Sequence, residues 1–172
     1  MTLQAVRLVS LIAAVGFWSV VRTTARAEES NTAALVVAMK DATATLQRGL
    51  TISKAQGIPI SAKFEIEDGK LQLKIYTMKG YDLKEVVADP KTGTVTKVEE
   101  ISDAMDLNEA IEQKTAVEKA TMPLLAAAKA AVKANAGARA VSIVPELKNG
   151  QATAEVTLLA GNTFKKVTVK LD

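Results

Sequence analysis

Three short runs of alternating apolar and polar residues, joined by tight turns, occupy residues 58–93 and constrain the fold more than any other feature. In the first run, the apolar residues Ile60, Ala62, Phe64 and Ile66 alternate with Ser61, Lys63, Glu65 and Glu67. This period of two predicts a strand with one buried face. Asp68-Gly69 predicts a type I′ hairpin, which needs positive φ at both central positions. With a second turn at Lys79-Gly80, the segment predicts an antiparallel meander.

A five-residue turn, Asp-Pro-Lys-Thr-Gly, closes this meander. The Asp89 side chain can accept bonds from the backbone amides that follow it, Pro90 fixes its own φ, and Gly93 supplies a left-handed position. We interpret Asp89, Pro90 and Gly93 as structural turn residues. The β-branched run Thr94–Glu99 then predicts a fourth strand.

A helical pattern precedes the meander. Ser30, Asn31 and Thr32 offer N-cap side chains. Apolar residues follow at helical spacing, at Leu35, Val36, Met39, Ala42, Leu46 and Leu50. The pattern predicts one amphipathic helix of about four turns.

The order of helix and strands recurs later in the chain at a constant spacing, called here the repeat offset. This offset takes Gly69 to Gly150 and Gly80 to Gly161. Asn149-Gly150 predicts another type I′ hairpin. We infer a tandem duplication of a helix-plus-meander unit. The second copy lacks a counterpart of the Asp-Pro-Lys-Thr-Gly turn and of the fourth strand.

The segment between the copies is polar and acidic, and it could form a short helix capped by Ser102. An interior proline costs a helix about 3 kcal/mol, so Pro123 predicts an interruption near Thr121–Pro123, with Thr121 as the cap of the following helix. The Ala-rich run 124–136 has high helix propensity and carries Leu125 and Val132 on one face.

The segment 1–27 has the features of a secretory signal peptide. Arg7 is followed by the apolar run Leu8–Val21, and Ala25-Arg26-Ala27 supplies a cleavage site. The apolar run is shorter than the roughly 20 residues of a membrane-spanning helix, which favours cleavage over retention as an anchor. We therefore expect a periplasmic or secreted protein without a stable membrane anchor.

Cleavage changes the charge of the chain. Loss of Arg7, Arg22 and Arg26 leaves 19 basic residues against 19 acidic ones, a formal net charge of zero. This balance argues against nucleic acid as a partner. The sequence has no Cys and no His, which excludes thiol nucleophiles, His-based triads and ordinary zinc sites. We expect no enzymatic activity, no catalytic residue, no cofactor and no metal site.

These patterns divide the chain into a signal peptide (1–27), a first unit (28–101), an acidic linker (102–114) and a second unit (115–172). Each unit is predicted to be α+β, with a helix on one face of a three- or four-stranded antiparallel meander. The other sheet face, which carries Lys63, Glu65, Glu67, Lys74 and Tyr76, is left to water or to a binding partner. Whether the two sheets pair or the units sit as separate beads stays open, as does the oligomeric state.

Residues Ala55–Gly57, Phe64–Tyr76 and Glu85–Val95 together resemble a PepSY domain, whose most recognisable ending corresponds here to Val87–Gly93. The first copy matches over about residues 34–100, whereas the second, 115–172, is a degenerate match without that ending. The resemblance implies a cystatin-like fold and an extracytoplasmic, non-catalytic bacterial module that regulates or inhibits a peptidase. In this chain, such regulation would act in trans.

The resemblance implies a protein partner, such as a peptidase or an envelope sensor. We expect contact through an exposed sheet edge or a hairpin, by strand addition or loop insertion. The candidate contact residues are Asp68, Gly69, Tyr76, Tyr81, Asn149 and Gly150, although ordinary packing is an alternative for both tyrosines. The alternative function is a structural or small-ligand protein whose sheet holds an apolar molecule or a peptide.

Overall fold

The computed structural model describes residues 31–172, so the predicted signal peptide, its cleavage site and Ser30 lie outside the described residues. The helices are α1 (helical through residues 31–39), α2 (Leu46–Ile52), α3 (Ala104–Lys119) and α4 (Leu124–Ala134). The strands are β1 (Ile58–Glu67), β2 (Lys70–Lys79), β3 (Asp82–Ala88), β4 (Val95–Glu100), β5 (Arg139–Lys148), β6 (Gln151–Ala160) and β7 (Thr163–Lys170). No helix in this part of the chain is long and apolar enough to cross a membrane.

All seven strands form one antiparallel sheet in the order β4-β3-β2-β1-β5-β6-β7. The first strands of the two copies, β1 and β5, pair through Ala62 with Ile143 and Lys63 with Ser142. The two meanders therefore share one sheet and are not separate beads. The predicted α+β fold is confirmed, with a helix packed on an antiparallel meander in each copy, as in a cystatin-like unit.

The internal repeat holds strand by strand. The repeat offset superposes both ends of β1 on those of β5, and both ends of β2 on those of β6. Both first strands carry a register shift at equivalent positions, between Pro59 and Ser61 in β1 and between Ala140 and Ser142 in β5. A bulge at the same place in both copies is a structural signature of the duplication.

Both predicted type I′ hairpins are present. Asp68 and Gly69 have φ of 49° and 73°, and Asn149 and Gly150 have φ of 52° and 81°. Positive φ at both central positions is what a two-residue type I′ turn requires.

The bulge in β1 alters the predicted alternation. Ile60 packs with Tyr76 and Ala110 on one side of the sheet, whereas Ala62 and Phe64 pack on the other side. Ile66 is 38% exposed beside the hairpin. The prediction of a single buried apolar face is therefore right only for Ala62 and Phe64. The extra residue of the bulge turns the side chain of Ile60 to the opposite side of the sheet.

One face of the sheet, called here the α2–α4 face, is covered by those two helices. Leu46 and Leu50 of α2 are fully buried there. A Cβ on Gly49 would lie 2.8 Å from Leu73 Cδ2, so this glycine lets α2 lie close to β2. In α4, the buried side chains are Leu124, Ala127, Ala128 and Ala131. The predicted contact face, Leu125 and Val132, is only half-buried, because the small alanines give the closer approach to the sheet.

The first helix is broken, and the prediction of four continuous turns is wrong. The helix ends at residue 39, and α2 begins at Leu46 with Thr45 as its N-cap, whose Oγ1 accepts from Arg48 N–H at 3.1 Å. Between the helices, Ala44 N–H donates to Pro90 O at 3.0 Å, and the Thr43 hydroxyl donates to Lys91 O. Bonds to the distant turn thus replace helical bonds at the break.

The opposite face of the sheet, called the α3 face, is partly covered by α3. The expected boundary at residues 114 and 115 falls inside this helix, so the linker is not a separate segment. Asp103, not Ser102, is the N-cap, with its side chain accepting from Met105 N–H at 2.8 Å and Asp106 N–H at 3.1 Å. Ala110 of α3 is buried on this face, so the helix covers part of the face that was predicted to meet water or a binding partner.

The predicted interruption near Pro123 is confirmed. α3 ends at Lys119, α4 begins at Leu124, and Pro123 holds the N-cap position with φ of −64° and ψ of 145°. Thr121 does not cap α4, as had been expected. Instead, the N–H groups of Thr121 and Met122 donate to Leu171 O at 2.7 and 2.8 Å and fasten the connection to the end of β7.

Candidate functional site

The predicted hairpin contacts do not form one site. Because β1 and β5 run antiparallel, the Asp68-Gly69 and Asn149-Gly150 turns lie at opposite ends of the sheet. Both turns are exposed. Each remains a separate candidate contact.

The two candidate tyrosines have different environments. Tyr76 is 3% exposed beneath α3, where it bonds to Asp106. Burial, together with the Asp106 carboxylate, raises the pKa of Tyr76 above its ordinary value. The prediction of Tyr76 as a partner contact is therefore wrong, and the packing alternative is right. Tyr81 is 97% exposed in the β2–β3 turn and remains available to a partner.

The turn at residues 89–93 is structural, as predicted. Asp89 Oδ1 accepts from Lys91 N–H at 2.9 Å, Thr92 N–H at 2.7 Å and the Thr92 hydroxyl at 3.0 Å. Gly93 adopts a φ of 66°. The bond from the Thr92 backbone amide, with those from the Thr92 hydroxyl and the Lys91 amide, lowers the pKa of the Asp89 carboxyl.

Carboxylates on the α3 face are held in an ion-pair network. Lys74 Nζ lies 2.9 Å from Glu65, 3.0 Å from Glu67 and 3.5 Å from Glu85. Burial raises the pKa of Glu65, but hydrogen bonds from Lys63 and Lys74 outweigh burial, so the net direction is downward. Burial raises the pKa of Glu85. The arrangement anchors the charged side chains to one another across three strands.

A cavity of about 750 Å³, lined by both charged and apolar side chains, lies between α3 and strands β1, β2 and β5. Two of its charged wall residues already have partners, because Lys63 lies 2.7 Å from Glu65, and Glu146 lies 2.6 Å from Lys148. These internal ion pairs leave less ligand-binding chemistry available than the apolar groove described next.

An apolar groove of about 990 Å³ lies at the end of the sheet where α3 gives way to α4. Ile58 is 57% exposed on its floor and is paired in register with Met78. The other apolar side chains that line this site, called the Ile58 groove, are Leu50, Ala55, Pro59, Val117, Ala120, Met122, Pro123, Leu124 and Leu125. Its walls come from both copies of the repeat.

The second copy has an equivalent groove, but there it is much smaller, about 420 Å³. Each of its lining residues corresponds, through the repeat offset, to a residue that lines the Ile58 groove. Arg139 holds the position of Ile58, and it is paired with Leu159 as Ile58 is paired with Met78. This site is called the Arg139 groove.

Arg139 accounts for the difference in size. Its guanidinium donates to three carbonyls at the break after α1, at 3.0 Å to Met39 O, 2.8 Å to Ala42 O and 2.9 Å to Ala44 O. It also lies 5.8 Å from the Phe64 ring. A cation thus closes this groove by donating to carbonyls at the end of α1 and in the break that follows it. Ile58 has no hydrogen-bonding group with which to do the same.

The Ile58 groove has two lysines among its lining residues, Lys54 and Lys79, and one glutamate, Glu118. Glu118 is paired with Lys114 at 2.5 Å. Within residues 31–172, neither Lys54 nor Lys79 forms an ion pair. The groove therefore combines an apolar floor with two cations free to meet an anion, a combination suited to an apolar group that carries a negative charge.

Sequence reasoning did not predict this site. Its walls come from α2, the start of β1, the end of β2 and the α3–α4 connection, which only the folded sheet brings together. One signal was present: extending the repeat offset to Ile58 would have paired it with Arg139. That difference, an apolar residue opposite a cation at equivalent positions, marks the place where the copies diverge.

No family model matches the chain, and no curated protein matches it. Among solved structures, the chain is similar to the crystal structure of a "putative lipoprotein" from Clostridium difficile 630. The similarity covers 77% of this chain and 89% of that chain, with 15% sequence identity and a TM-score of 0.41. A likeness at this level carries no argument about function.

Proposed function

We propose that the protein is a non-catalytic binding module of the bacterial envelope that holds an apolar segment of a partner protein in the Ile58 groove. The observation that carries this proposal is the asymmetry between the two grooves. One copy closes its groove with Arg139, whereas the other keeps an exposed apolar floor in a groove of about 990 Å³. An exposed apolar concavity is typical of a surface that a ligand covers.

The rim restricts the chemistry of the occupant. Lys54 and Lys79 lack ion-pair partners within the described residues, so a carboxylate next to the apolar segment would gain by lying between them. The partner class, a peptidase or an envelope sensor regulated in trans, rests on the PepSY resemblance. The location in the periplasm or outside the cell rests on the predicted signal peptide.

A second candidate is a small apolar anion held in the same groove. The volume favours it, because small-molecule sites usually measure about 300–1,000 Å³. In this case the protein would carry or sense a ligand instead of regulating a protein.

Site-specific photo-crosslinking in living cells separates the two candidates. A photoreactive phenylalanine analogue replaces Ile58, and a matched control carries it at Val37, which is 64% exposed outside the groove. The proposal predicts a defined protein adduct from position 58 that is absent from position 37. A small-molecule adduct at position 58 would support the second candidate instead. Identical adducts from both positions would contradict a role for the groove.

The captured partner is then tested with a variant that copies the closed groove. Ile58→Arg places at this position the cation found in the other copy, and Val37→Arg makes the same kind of change elsewhere. We expect Ile58→Arg to weaken binding of the purified partner at least tenfold and Val37→Arg to leave it unchanged. Equal binding by both variants would rule out the groove as the contact.

A further inference from the structure

The cavity of about 750 Å³ beneath α3, called here the α3 cavity, has hydrogen-bond acceptors in its wall that the ion pairs described above leave unused. The clearest is the side chain of Gln113, which is only 7% exposed. Its Oε1 is buried and has no hydrogen-bond partner within residues 31–172. Because an acceptor buried without a donor destabilises a fold, Gln113 indicates a donor that comes from outside the described chain.

Two carboxylates lie beside this amide on α3. Glu109 precedes Gln113 by four residues and Glu112 precedes it by one, and all three side chains line the cavity. Residues three and four positions apart are neighbours on a helix surface, so these side chains share one side of α3. Within the described residues, neither Glu109 nor Glu112 forms an ion pair. The α3 wall therefore presents oxygen acceptors only.

The sheet side of the cavity has no surplus cation to donate to that wall. Its ion-pair network joins two lysines to three glutamates and thus carries one more negative than positive charge. The members are Lys63, Lys74, Glu65, Glu67 and Glu85. Glu146 of β5 also lines the cavity, and it is paired with Lys148 at 2.6 Å.

The electrostatic potential in the cavity is negative, and Tyr76 in its wall responds to that potential. The pKa of Tyr76 is raised first by burial and then by the carboxylates of Asp106, Glu85 and Glu65. Carboxylates that oppose the phenolate favour a cation at the same place. The unpaired Glu109 and Glu112 add to this effect.

The remaining wall residues restrict the class of cation. Within the part of the chain that the structure describes, no three acidic side chains are grouped as a metal ion requires. Apolar side chains also line the cavity, among them Ile111 and Val144, which are 47% and 36% exposed. An organic ammonium ion suits both features, because it offers three N–H donors and its aliphatic stem can cover apolar surface.

We propose that the α3 cavity binds an organic ammonium group on a short aliphatic stem, either a free amine or a lysine side chain of a partner. The ammonium would donate to Gln113 Oε1 and pair with Glu109 and Glu112, and its stem would lie against Ile111 and Val144. The site shares no lining residue with the Ile58 groove and takes a ligand of the opposite charge.

Two pairs of probes test the charge and distinguish the two sources of the ligand. Butylamine is compared with 1-butanol, and the peptide acetyl-Gly-Lys-Gly-amide with its norleucine analogue. Nuclear magnetic resonance at pH 7 follows the backbone and Gln113 side-chain amides of the ¹⁵N-labelled full chain. We expect at least tenfold tighter binding of a charged probe than of its neutral match. Binding of butylamine indicates a free amine, and binding of the peptide alone indicates a partner's lysine. Equal binding of charged and neutral probes, or saturation by none, would overturn the proposal.

Variants place the bound probe in the cavity. Gln113→Met removes the unpaired acceptor at similar volume, so it should weaken binding at least fivefold and raise the urea midpoint of unfolding. Joint replacement by Glu109→Gln and Glu112→Gln should weaken binding at least tenfold. As a control, Glu99→Gln with Glu100→Gln removes the same number of charges from β4, outside the cavity, and should leave binding unchanged. Equal binding by the two double variants would show that the ammonium does not occupy the α3 cavity.

Discussion

Ala62 of β1 lies directly opposite Ile143 of β5, and these two residues hold the same position in the two copies of the repeat. In the neighbouring pair, Lys63 lies opposite Ser142, which is the counterpart of Ser61. One member of this pair therefore follows the Ala62–Ile143 position by one residue, and the other precedes it by one residue. Equivalent residues that face each other across an antiparallel ladder mark a pseudo-two-fold axis, as at the interface of a symmetric dimer. The chain is thus arranged as a dimer within one polypeptide.

Both copies are expected to unfold in a single transition, because each one completes the core of the other. Val117 of α3, in the second copy, packs with Met78 of the first, whereas Val36 and Met39 of the first copy line the Arg139 groove with Leu159 of the second. Urea unfolding at 25 °C, followed by circular dichroism, tests this, with hydrogen exchange reporting on each copy separately. Two resolved transitions would contradict it.

A charge at the pseudo-two-fold axis should destabilise the whole molecule. Ala62 is 1% exposed, so Ala62→Asp would bury an unpaired carboxylate, with an expected loss of about 3 kcal/mol or more in the free energy of unfolding. Ala33→Asp, at an exposed site on α1, serves as the control and should change stability by about 0.5 kcal/mol or less. Similar midpoints for the two variants would show that the β1–β5 junction is dispensable.

Arg139→Met should destabilise the protein by about 3 kcal/mol, because it removes the guanidinium donor from three carbonyls at the break after α1, of which Met39 O keeps a bond from Ala42 N–H at 3.3 Å. Arg139→Lys should not restore full stability, since an ammonium lacks the planar fork that reaches all three acceptors. Lys133→Met, on the exposed side of α4, provides a charge-matched control. Urea midpoints measure all three variants, and equal midpoints for Arg139→Met and Lys133→Met would remove Arg139 from this role.

Two glycine variants compare backbone strain alone, at Gly69, with backbone strain plus steric crowding, at Gly57, whose φ is 155°. At Gly57, a Cβ would lie 2.4 Å from Met78 O, a backbone atom that cannot move aside easily. At Gly69, with φ of 73°, a Cβ would meet nothing within 4 Å. We expect Gly69→Ala to cost about 1 kcal/mol from the left-handed backbone alone and Gly57→Ala to cost about 3 kcal/mol. Thermal unfolding would contradict this if the order were reversed.

Asp89 should contribute to acid sensitivity. Its folded-state pKa is lowered, first of all by the bond from the Thr92 amide, so its stabilising contribution is present above the unfolded pKa of about 4. That contribution is lost as pH falls through the lower, folded-state pKa. Wild type should therefore be more stable than Asp89→Ala at pH 7, and the gap should narrow below pH 4. A gap that stays constant from pH 7 to pH 2.5 would contradict this.

The features predicted correctly from the sequence depend on local chemistry. Hairpins at Asp68-Gly69 and Asn149-Gly150, the Asp89 turn and the interruption at Pro123 follow from the backbone preferences of a few adjacent residues. The break after α1 could not be predicted, because it depends on bonds from Ala44 to Pro90 and from Arg139 to three carbonyls far along the chain.

The position of α3 and of the Ile58 groove also depends on distant contacts. The acidic pattern of residues 102–114 suits an exposed linker, but Ala110 and Val117 give the helix an apolar side that the sheet covers. Small residues carry a weak signal of burial in a sequence. The groove exists only because this helix, the start of β1 and the end of β2 converge at one end of the sheet.

The central claim is that the first copy holds an open binding groove and the second copy a closed one. The most direct test is a fluorescence titration with the apolar anion 1-anilinonaphthalene-8-sulfonate. Wild type is predicted to bind one equivalent, and Ile58→Arg is predicted to bind at least tenfold more weakly while unfolding at the same urea concentration. Undiminished binding by a fully folded Ile58→Arg protein would contradict the claim.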